Sequence, residues 1–438
     1  MTFSKAKVFP VSAAVNAQGH LTIGGCDVAS LASQYGTPLY VWDEATLRGQ
    51  ARAFVREFTR RHPNTHVSYA CKAFINIPLA RLLHEEGLGF DVVSGGEVAV
   101  LRAAGVPPEG VTFHGNNKGR QELEDALAWG IGRIAVDNFY ELDLLDELAA
   151  KAGKKQEILL RVSPGIDPHT HHHTTTGVLD SKFGFAIQTG DAERAVRKAL
   201  KSKHLKLVGL HFHLGSPIFE LEPYAAATAL VVEFASKFRE EGFTLDELSP
   251  GGGFAIAYLE EQHPPSQAEY AETIVSALRQ TCKRLGMALP KLAIEPGRAI
   301  VGPAGVAVYT VGAIKDIPGV RRYVSVDGGM GDNIRPALYE AKYEAVAAAR
   351  MNAPLGNPVT IAGKYCESGD VLVRDVRMPD LHAGDLVALP ASGAYCPSMA
   401  STYNLNPRPA MVMVKDGHAR LIRRRETYED FTRADVLE

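Results

Sequence analysis

"THVSYACKAFINIPLARLLHEEG", residues 65–87, runs from a short β-rich stretch through a lysine into a segment whose apolar residues recur every three or four positions. The stretch reads as a strand and the segment as the helix that follows it. The same pairing recurs along the chain. Strand-like runs stand at "FDVVS" (90–94), "VTFHG" (111–115), "RIAVD" (133–137), "EILLRVS" (157–163), "LVGLHFH" (207–213), "LDELSPGGG" (245–253) and "KLAIE" (291–295). Helix-like segments such as "RQELEDALAWG", "FYELDLLDELAAKAG" and "SQAEYAETIVSALRQTCKRLG" lie between them. Strand and helix alternating eight times predict an α/β fold, a (β/α)8 TIM-type barrel over residues 40–302.

Chemistry gathers at the carboxyl ends of these runs. Lys72 follows the first, Asp91 and "SGGE" the second, "HGNNK" the third, Asp137 the fourth and Arg161 the fifth. "HFHLGS", "PGGGF" and "EPGR" close the last three. A barrel collects those ends on its active face. Closure also makes the first and last strands neighbours at roughly 4.8 Å, so Lys72 and Glu295 are expected to share a rim, with His213 across the mouth.

From residue 303 the texture changes to strands separated by Gly, Pro and Asp, as in "GVAVYTVGAIKDI", "RRYVSVDGG" and "GDLVALPASGAY". Residues 303–438 together with 1–39 are expected to form a second, mostly antiparallel β domain. "HLTIGG" and "PLYVWD" should add strands to it, and "IRPALYEAKYEAVAAAR" reads as a helical insert.

Composition narrows the function. Lys plus Arg total 47 against 50 Asp plus Glu in 438 residues, so no basic face offers itself to nucleic acid or anionic lipid. No run approaches the ~18 apolar residues that cross a bilayer, and the amino terminus lacks a secretory core. The five cysteines, Cys26, Cys71, Cys282, Cys366 and Cys396, are scattered and odd in number, which fits a cytoplasmic protein. "HTHHHTTTG", with His169, His171, His172 and His173, invites a metal, but adjacent residues do not converge on one tetrahedral ion. It is read as a loop bordering the site, and no metal is expected.

A lysine at a barrel mouth can pack its stem and pair with a carboxylate such as Asp91. It can also form an imine with an aldehyde once a dry site lowers its pKa. Pyridoxal 5'-phosphate is such an aldehyde, and its other needs have candidates. Gly251, Gly252 and Gly253 offer bare backbone N–H groups for a phosphate. Glu295 can hold the pyridine nitrogen protonated, and His213 can lie against the ring. Each has a plainer role: Glu295 can pair with Arg298, and His213 can be a satisfied barrel histidine.

Taken together, "YACKA", "DVVSGGE", "HFHLGS", "GGGF", "EPGR", "CESGD" and "GAYC", in order over residues 36–405, resemble the fold type III pyridoxal phosphate decarboxylases. The resemblance implies an alanine-racemase-like barrel and β domain. Lys72 would be the Schiff-base lysine, His213 the ring-stacking residue and Glu295 the pyridine partner. Ser216, Gly252, Gly253, Gly297, Arg298 and Tyr395 would hold the cofactor phosphate or the substrate. It further implies a homodimer whose "CESGD" loop, with Cys366 as acid and Glu367, reaches into the partner's site.

Within the family, members that take ornithine carry Asp after the cysteine, whereas Glu367 follows Cys366 here and "NIRPALYEA" supplies Arg335 and Tyr339. The resemblance then implies a small amino-acid substrate with a distal carboxylate held by Arg298 and Arg335. The activity implied is decarboxylation of meso-2,6-diaminopimelate to L-lysine. Ornithine, arginine or a carboxylated polyamine, a racemase, and a binding protein with a dead site are the alternatives. Two positions depart from the family pattern beside the phosphate cradle: Pro217 stands for the usual glutamine, and Phe254 and Ala255 follow the glycines.

Overall fold

The computed structural model describes residues 5–167 and 180–437. The histidine loop at 169–173 lies outside the described residues. The chain divides into two units, one of Gln50–Ala255 and Pro264–Gly297, the other of Met1–Gly49, Ile256–His263 and Arg298–Glu438.

The first unit is the barrel. Eight strands, Thr65–Ala70, Gly89–Val92, Val111–Phe113, Arg133–Val136, Gln156–Ser163, Leu205–His211, Glu247–Gly251 and Lys291–Ile294, pair in parallel. The eighth closes on the first through Leu292↔Thr65, Ala293↔His66 and Ile294↔Val67. A ninth, two-residue strand, Phe185–Ala186, extends the pairing beside Val162 and Ser163. The strands are β-branched and apolar because a barrel strand is covered on both faces.

The helices between them start where the sequence supplies a cap. Side chains of Asn76, Ser94, Asn138 and Ser266 accept the backbone N–H of Leu79, Glu97, Glu141 and Glu269, each three residues on. The inner faces then bury Leu79, Leu82 and Leu83, or Leu142, Leu145 and Leu148. All eight expected strands and the expected helices are present.

At the rim between the third and fourth strands lies an ion pair that composition does not show. Lys118 Nζ donates to Glu141 Oε1 at 2.6 Å and to the carbonyls of Ala135 and Gly115 at 2.8 and 2.9 Å. Glu141 also accepts from the Asp137 N–H at 2.9 Å. Every charge-bearing atom is satisfied, which is the condition under which a buried pair is tolerated.

The second unit is β-rich. Its main sheet runs in the order Val371–Arg377, Pro358–Ala362, Arg321–Val326, Gly305–Ile317, Leu39–Asp43, Ala410–Lys415 and His418–Arg423. Leu386–Leu389 pairs with Gly305–Ile317 and with Val346–Ala347. Two of the pairings are parallel and the others antiparallel.

One expectation is corrected here. "PLYVWD" enters this sheet, and "HLTIGG" adds a strand to the same unit through a small three-stranded sheet of Ala14–Val15, Leu21–Ile23 and Cys26–Asp27, where the Leu21 N–H also donates to the Ala348 carbonyl at 2.7 Å. Its Leu21 and Ile23 join the same apolar core as Val41, Val306 and Val412. The expected helix over "IRPALYEAKYEAVAAAR" lasts only Arg335–Tyr339, stopped by Glu340 in the left-handed region. The alanines beyond it are spent on a strand, Val346–Ala347, because pairing with a buried neighbour outweighs helix propensity.

Replacing Lys118 by Met should cost about 3–5 kcal/mol by stranding the Glu141 charge. The double replacement Lys118→Met, Glu141→Leu should recover more than half of that loss in denaturant unfolding.

Candidate active site

In the barrel unit the site is built around one carboxylate. Glu295 follows the last barrel strand, is 8% exposed, and has both oxygens occupied. Ser249 Oγ donates to Oε1 at 2.7 Å, and His211 Nε2 lies 3.1 Å from Oε2. His114 Nε2 approaches to 3.6 Å, and the His114 and His211 rings meet edge to face at 4.7 Å. Burial pushes the Glu295 carboxyl up, but the two imidazoles and the Ser249 bond outweigh it and hold the group well below the usual carboxylate range.

Asp91, 3.8 Å from His114, goes the other way. Burial and then the Glu295 charge raise it well above its ordinary value, against the pull of Lys72. Two neighbouring carboxyls therefore carry one charge, and it sits on Glu295. His114, His211 and Glu295 are also the only three-residue grouping with metal-ligand spacing among the described residues. The Glu295 oxygens, however, already take hydrogen bonds from Ser249 and His211.

Lys72 lies in a one-turn 3-10 helix, Cys71–Ala73, at the end of the first strand. It is exposed between the buried Cys71 and Ala73. Its charge acts on Asp91, Glu97 and His213. His213 is fixed by the glycine turn: the Gly252 N–H donates to its Nδ1 at 3.2 Å. Nδ1 must therefore be unprotonated. Burial, then the charges of Lys72 and Arg161, hold the ring well below the ordinary histidine value and keep it neutral.

The glycines are dictated by space. A Cβ at Gly251 would lie 2.7 Å from His213 Nδ1, one at Gly252 2.2 Å from the Glu295 carbonyl oxygen, and one at Gly253 2.4 Å from the Gly215 carbonyl oxygen. Gly251 and Gly253 also have φ of +73° and +100°. Bare backbone between a neutral histidine and a buried anion suits a phosphate-bearing pyridine cofactor. Gly297 packs as tightly, its Cβ position lying 3.1 Å from the Ala73 Cβ.

Pro217 and Phe254 flank this turn. Ile218 N–H donates to the Gly253 carbonyl at 2.9 Å, just after Ser216 and Pro217. Phe254 fills an aromatic cluster, stacked on Tyr224 at 5.8 Å and tilted against Phe54 at 5.1 Å. Tyr224 in turn donates to the Gly252 carbonyl at 2.7 Å.

The remaining candidates belong to the β-rich unit. Arg298 and Arg335 are 6% and 5% exposed. Arg298 Nη1 donates to Tyr258 Oη at 2.6 Å, and its guanidinium lies 4.7 Å over the Tyr395 ring. Arg335 donates to Tyr343 Oη and stacks on Tyr258 with its Cζ 4.5 Å from the ring centre. Tyr343 continues to Cys396 Sγ at 3.4 Å. Tyr339 is half-buried at the end of the Arg335 helix. Cys366 is exposed, and its N–H donates to Asn404 at 2.9 Å, while Glu367 accepts from Tyr403 Oη at 2.9 Å. Glu367 and Tyr403 line a cavity of about 480 Å³ with Met330, Ile334, Ser401 and Thr402.

The family model for pyridoxal-dependent decarboxylases, pyridoxal binding domain, matches residues 45–302. A diaminopimelate decarboxylase of Bacillus subtilis (strain 168) is 48% identical over 422 residues, covering 96% of either chain. The chain belongs to the diaminopimelate decarboxylase family. The Halalkalibacterium halodurans enzyme of that name is 46% identical over 423 residues, again covering 96% of each. The crystal structure of the M. jannaschii diaminopimelate decarboxylase in co-complex with L-lysine matches with a TM-score of 0.92 at 34% identity, covering 98% of each chain. The chain is thus a pyridoxal phosphate-dependent amino-acid decarboxylase.

Sequence reasoning did not assign His114, His211, Ser249, Tyr258 or Tyr343. His211 had a signal, standing two residues before His213 in "HFHLGS". Tyr258 had none, since it lies in an irregular loop.

Gly252→Ala should weaken pyridoxal phosphate binding at least about tenfold, read by cofactor titration, because its methyl would collide with the Glu295 carbonyl. A second expectation concerns Asp332, whose buried carboxyl is pushed up to about 7 by burial despite hydrogen bonds from Tyr309 Oη and the Gly329 N–H. A raised carboxyl pKa favours the folded state below the unfolded value and loses that advantage as pH climbs through 7. Asp332→Asn should therefore flatten the fall in unfolding midpoint between roughly pH 4 and 8.

Proposed function

We propose that this enzyme releases carbon dioxide from the D centre of meso-2,6-diaminopimelate and leaves L-lysine, the closing step of lysine biosynthesis. The observation that carries the choice of substrate is Arg335. It is a guanidinium buried against two tyrosines, with no acidic partner among the described residues. A substrate with a distal carboxylate satisfies that charge. A simple diamine acid leaves it buried and unpaired, at a cost of several kcal/mol. The relatives at 46–48% identity carry the matching name.

We assign cofactor binding to the barrel unit and the distal contacts to the β-rich unit. Lys72 supplies the amine that holds the cofactor aldehyde. Ser216, Gly252, Gly253 and Gly297 surround the phosphate with backbone and hydroxyl donors. Neutral His213 offers a flat face without a competing charge. Glu295, held anionic by Ser249 and His211, keeps a pyridine nitrogen protonated. When bound, pyridoxal 5'-phosphate supplies the electron sink for the pair left on Cα as carbon dioxide departs.

Arg298 and Arg335 take the distal carboxylate, with Tyr339, Tyr395 and Glu367 placed for the remaining polar groups. Cys366 returns the proton to Cα. Among the cysteines it is the exposed one, whereas burial raises the thiols of Cys26, Cys71, Cys282 and Cys396. We place Cys366 in the site of a second copy, so the working form is a homodimer. No helix of the described residues is long and apolar enough to cross a membrane, and we place the enzyme in the cytoplasm.

The test is carbon dioxide release from meso-diaminopimelate and ornithine side by side, with pyridoxal phosphate added. Release from the first should exceed the second by about 10² or more; the reverse order overturns the proposal. Lys72→Ala and Cys366→Ala should each be inactive alone and regain part of the activity when mixed, as a site shared between copies requires.

A further inference from the structure

Arg335 is buried, with no acidic partner among the described residues. Something must hold it in place without cancelling its charge. In the β-rich unit one side chain touches both Arg335 and Arg298. Tyr258, 7% exposed, accepts from Arg298 Nη1 at 2.6 Å through its hydroxyl and presents its ring to Arg335 at 4.5 Å.

Tyr258 is itself fixed before any ligand arrives. Gln262 Oε1 accepts the backbone N–H groups of Tyr258 and Leu259 at 2.8 and 3.2 Å. The loop is anchored further at His263, whose Nδ1 meets Lys7 Nζ at 2.8 Å. Tyr343 braces the ring edge-on at 5.4 Å and also takes a hydrogen bond from Arg335. A tyrosine suits this role where an acid does not. A hydroxyl oxygen and a π face attract a guanidinium, yet leave its net positive charge for an anion.

We infer that Tyr258 is a positioning residue that sets substrate specificity, by holding Arg298 and Arg335 as a preformed receptor for the substrate's distal carboxylate. This rests on the reading of those two arginines given under the proposed function. On that reading Tyr258 acts at the end of the substrate remote from the carbon that loses carbon dioxide, so its removal should raise KM and spare kcat.

The test uses the holoenzyme and its Tyr258→Phe and Tyr258→Leu variants. The probes are L-lysine, which keeps the carboxylate end of the substrate, and cadaverine, the same chain without it. Wild type should be inhibited by L-lysine at concentrations at least about tenfold below those of cadaverine. Tyr258→Leu, which loses both the hydroxyl and the ring, should raise KM for meso-diaminopimelate about 10²-fold with kcat within about threefold. Its L-lysine inhibition constant should rise in step while that of cadaverine stays put. Tyr258→Phe keeps the ring under Arg335 and should fall between, near tenfold.

If wild type discriminates and Tyr258→Leu keeps the same preference for L-lysine over cadaverine, the inference about Tyr258 fails alone. Equal weakening of both inhibitors would also sink it, since a merely structural residue acts on both. If wild type itself binds cadaverine as tightly as L-lysine, the reading of the two arginines fails and takes this inference with it.

Discussion

The pairing of the last barrel strand with the first is the constraint on which the barrel site depends. Ile294 lies beside Val67, and the contact continues past the strand, where the Ala70 N–H donates to the Pro296 carbonyl at 3.2 Å. That pairing brings the turn carrying Lys72 beside "EPG", more than two hundred residues later in the chain. Gly297 has to be glycine because the Ala70 and Ala73 methyls already fill the space a side chain would need. A slip of one residue in this register would turn Glu295 to the other face of its strand.

Once Glu295 is enclosed, its charge governs what stands around it. A carboxylate in a barrel interior stays ionised only if donors replace its water. Ser249 and His211, on the seventh and sixth strands, are those donors. The same field then forbids a second anion nearby, so Asp91 keeps its proton and Lys72 faces one net charge there. Neutral His213 follows from the same economy, with its Nδ1 committed to a backbone N–H and its protonated form disfavoured by burial and by Lys72.

Much of this was legible in the sequence because barrel strands advertise themselves. Each is short, apolar and followed by a capped amphipathic helix, so the order of elements and the polar residues at the strand ends could be read together. "HGNNK" and "HFHLGS" marked the right rim, although the roles of His114 and His211 depend on which strands are neighbours in the closed ring. The β-rich unit was harder. "AVAAAR" has strong helix propensity, and only its pairing with Leu386–Leu389 makes part of it a strand. "HLTIGG" alternates like any sheet strand; that it pairs in a small sheet of its own, while sharing the apolar core, depends on partners at Ala14–Val15 and Cys26–Asp27. Tyr258 lies in an irregular segment that carries no periodic signal at all.

The use of tyrosines around the two arginines has an energetic logic of its own. An acid beside Arg335 would stabilise it in the free enzyme and would then have to be displaced, or repelled, by an incoming carboxylate. A tyrosine face stabilises the cation more weakly, by roughly 1–2 kcal/mol when desolvated. The guanidinium is thereby tolerated in the interior but still short of a counter-charge. The shortfall is what a dicarboxylate can make good and a monocarboxylate diamine cannot, so part of the folded state's stability is given up for discrimination between ligands. Arg335 is built to this pattern, and a lysine in its place would lose both the planar stacking and the forked donors that the pattern uses.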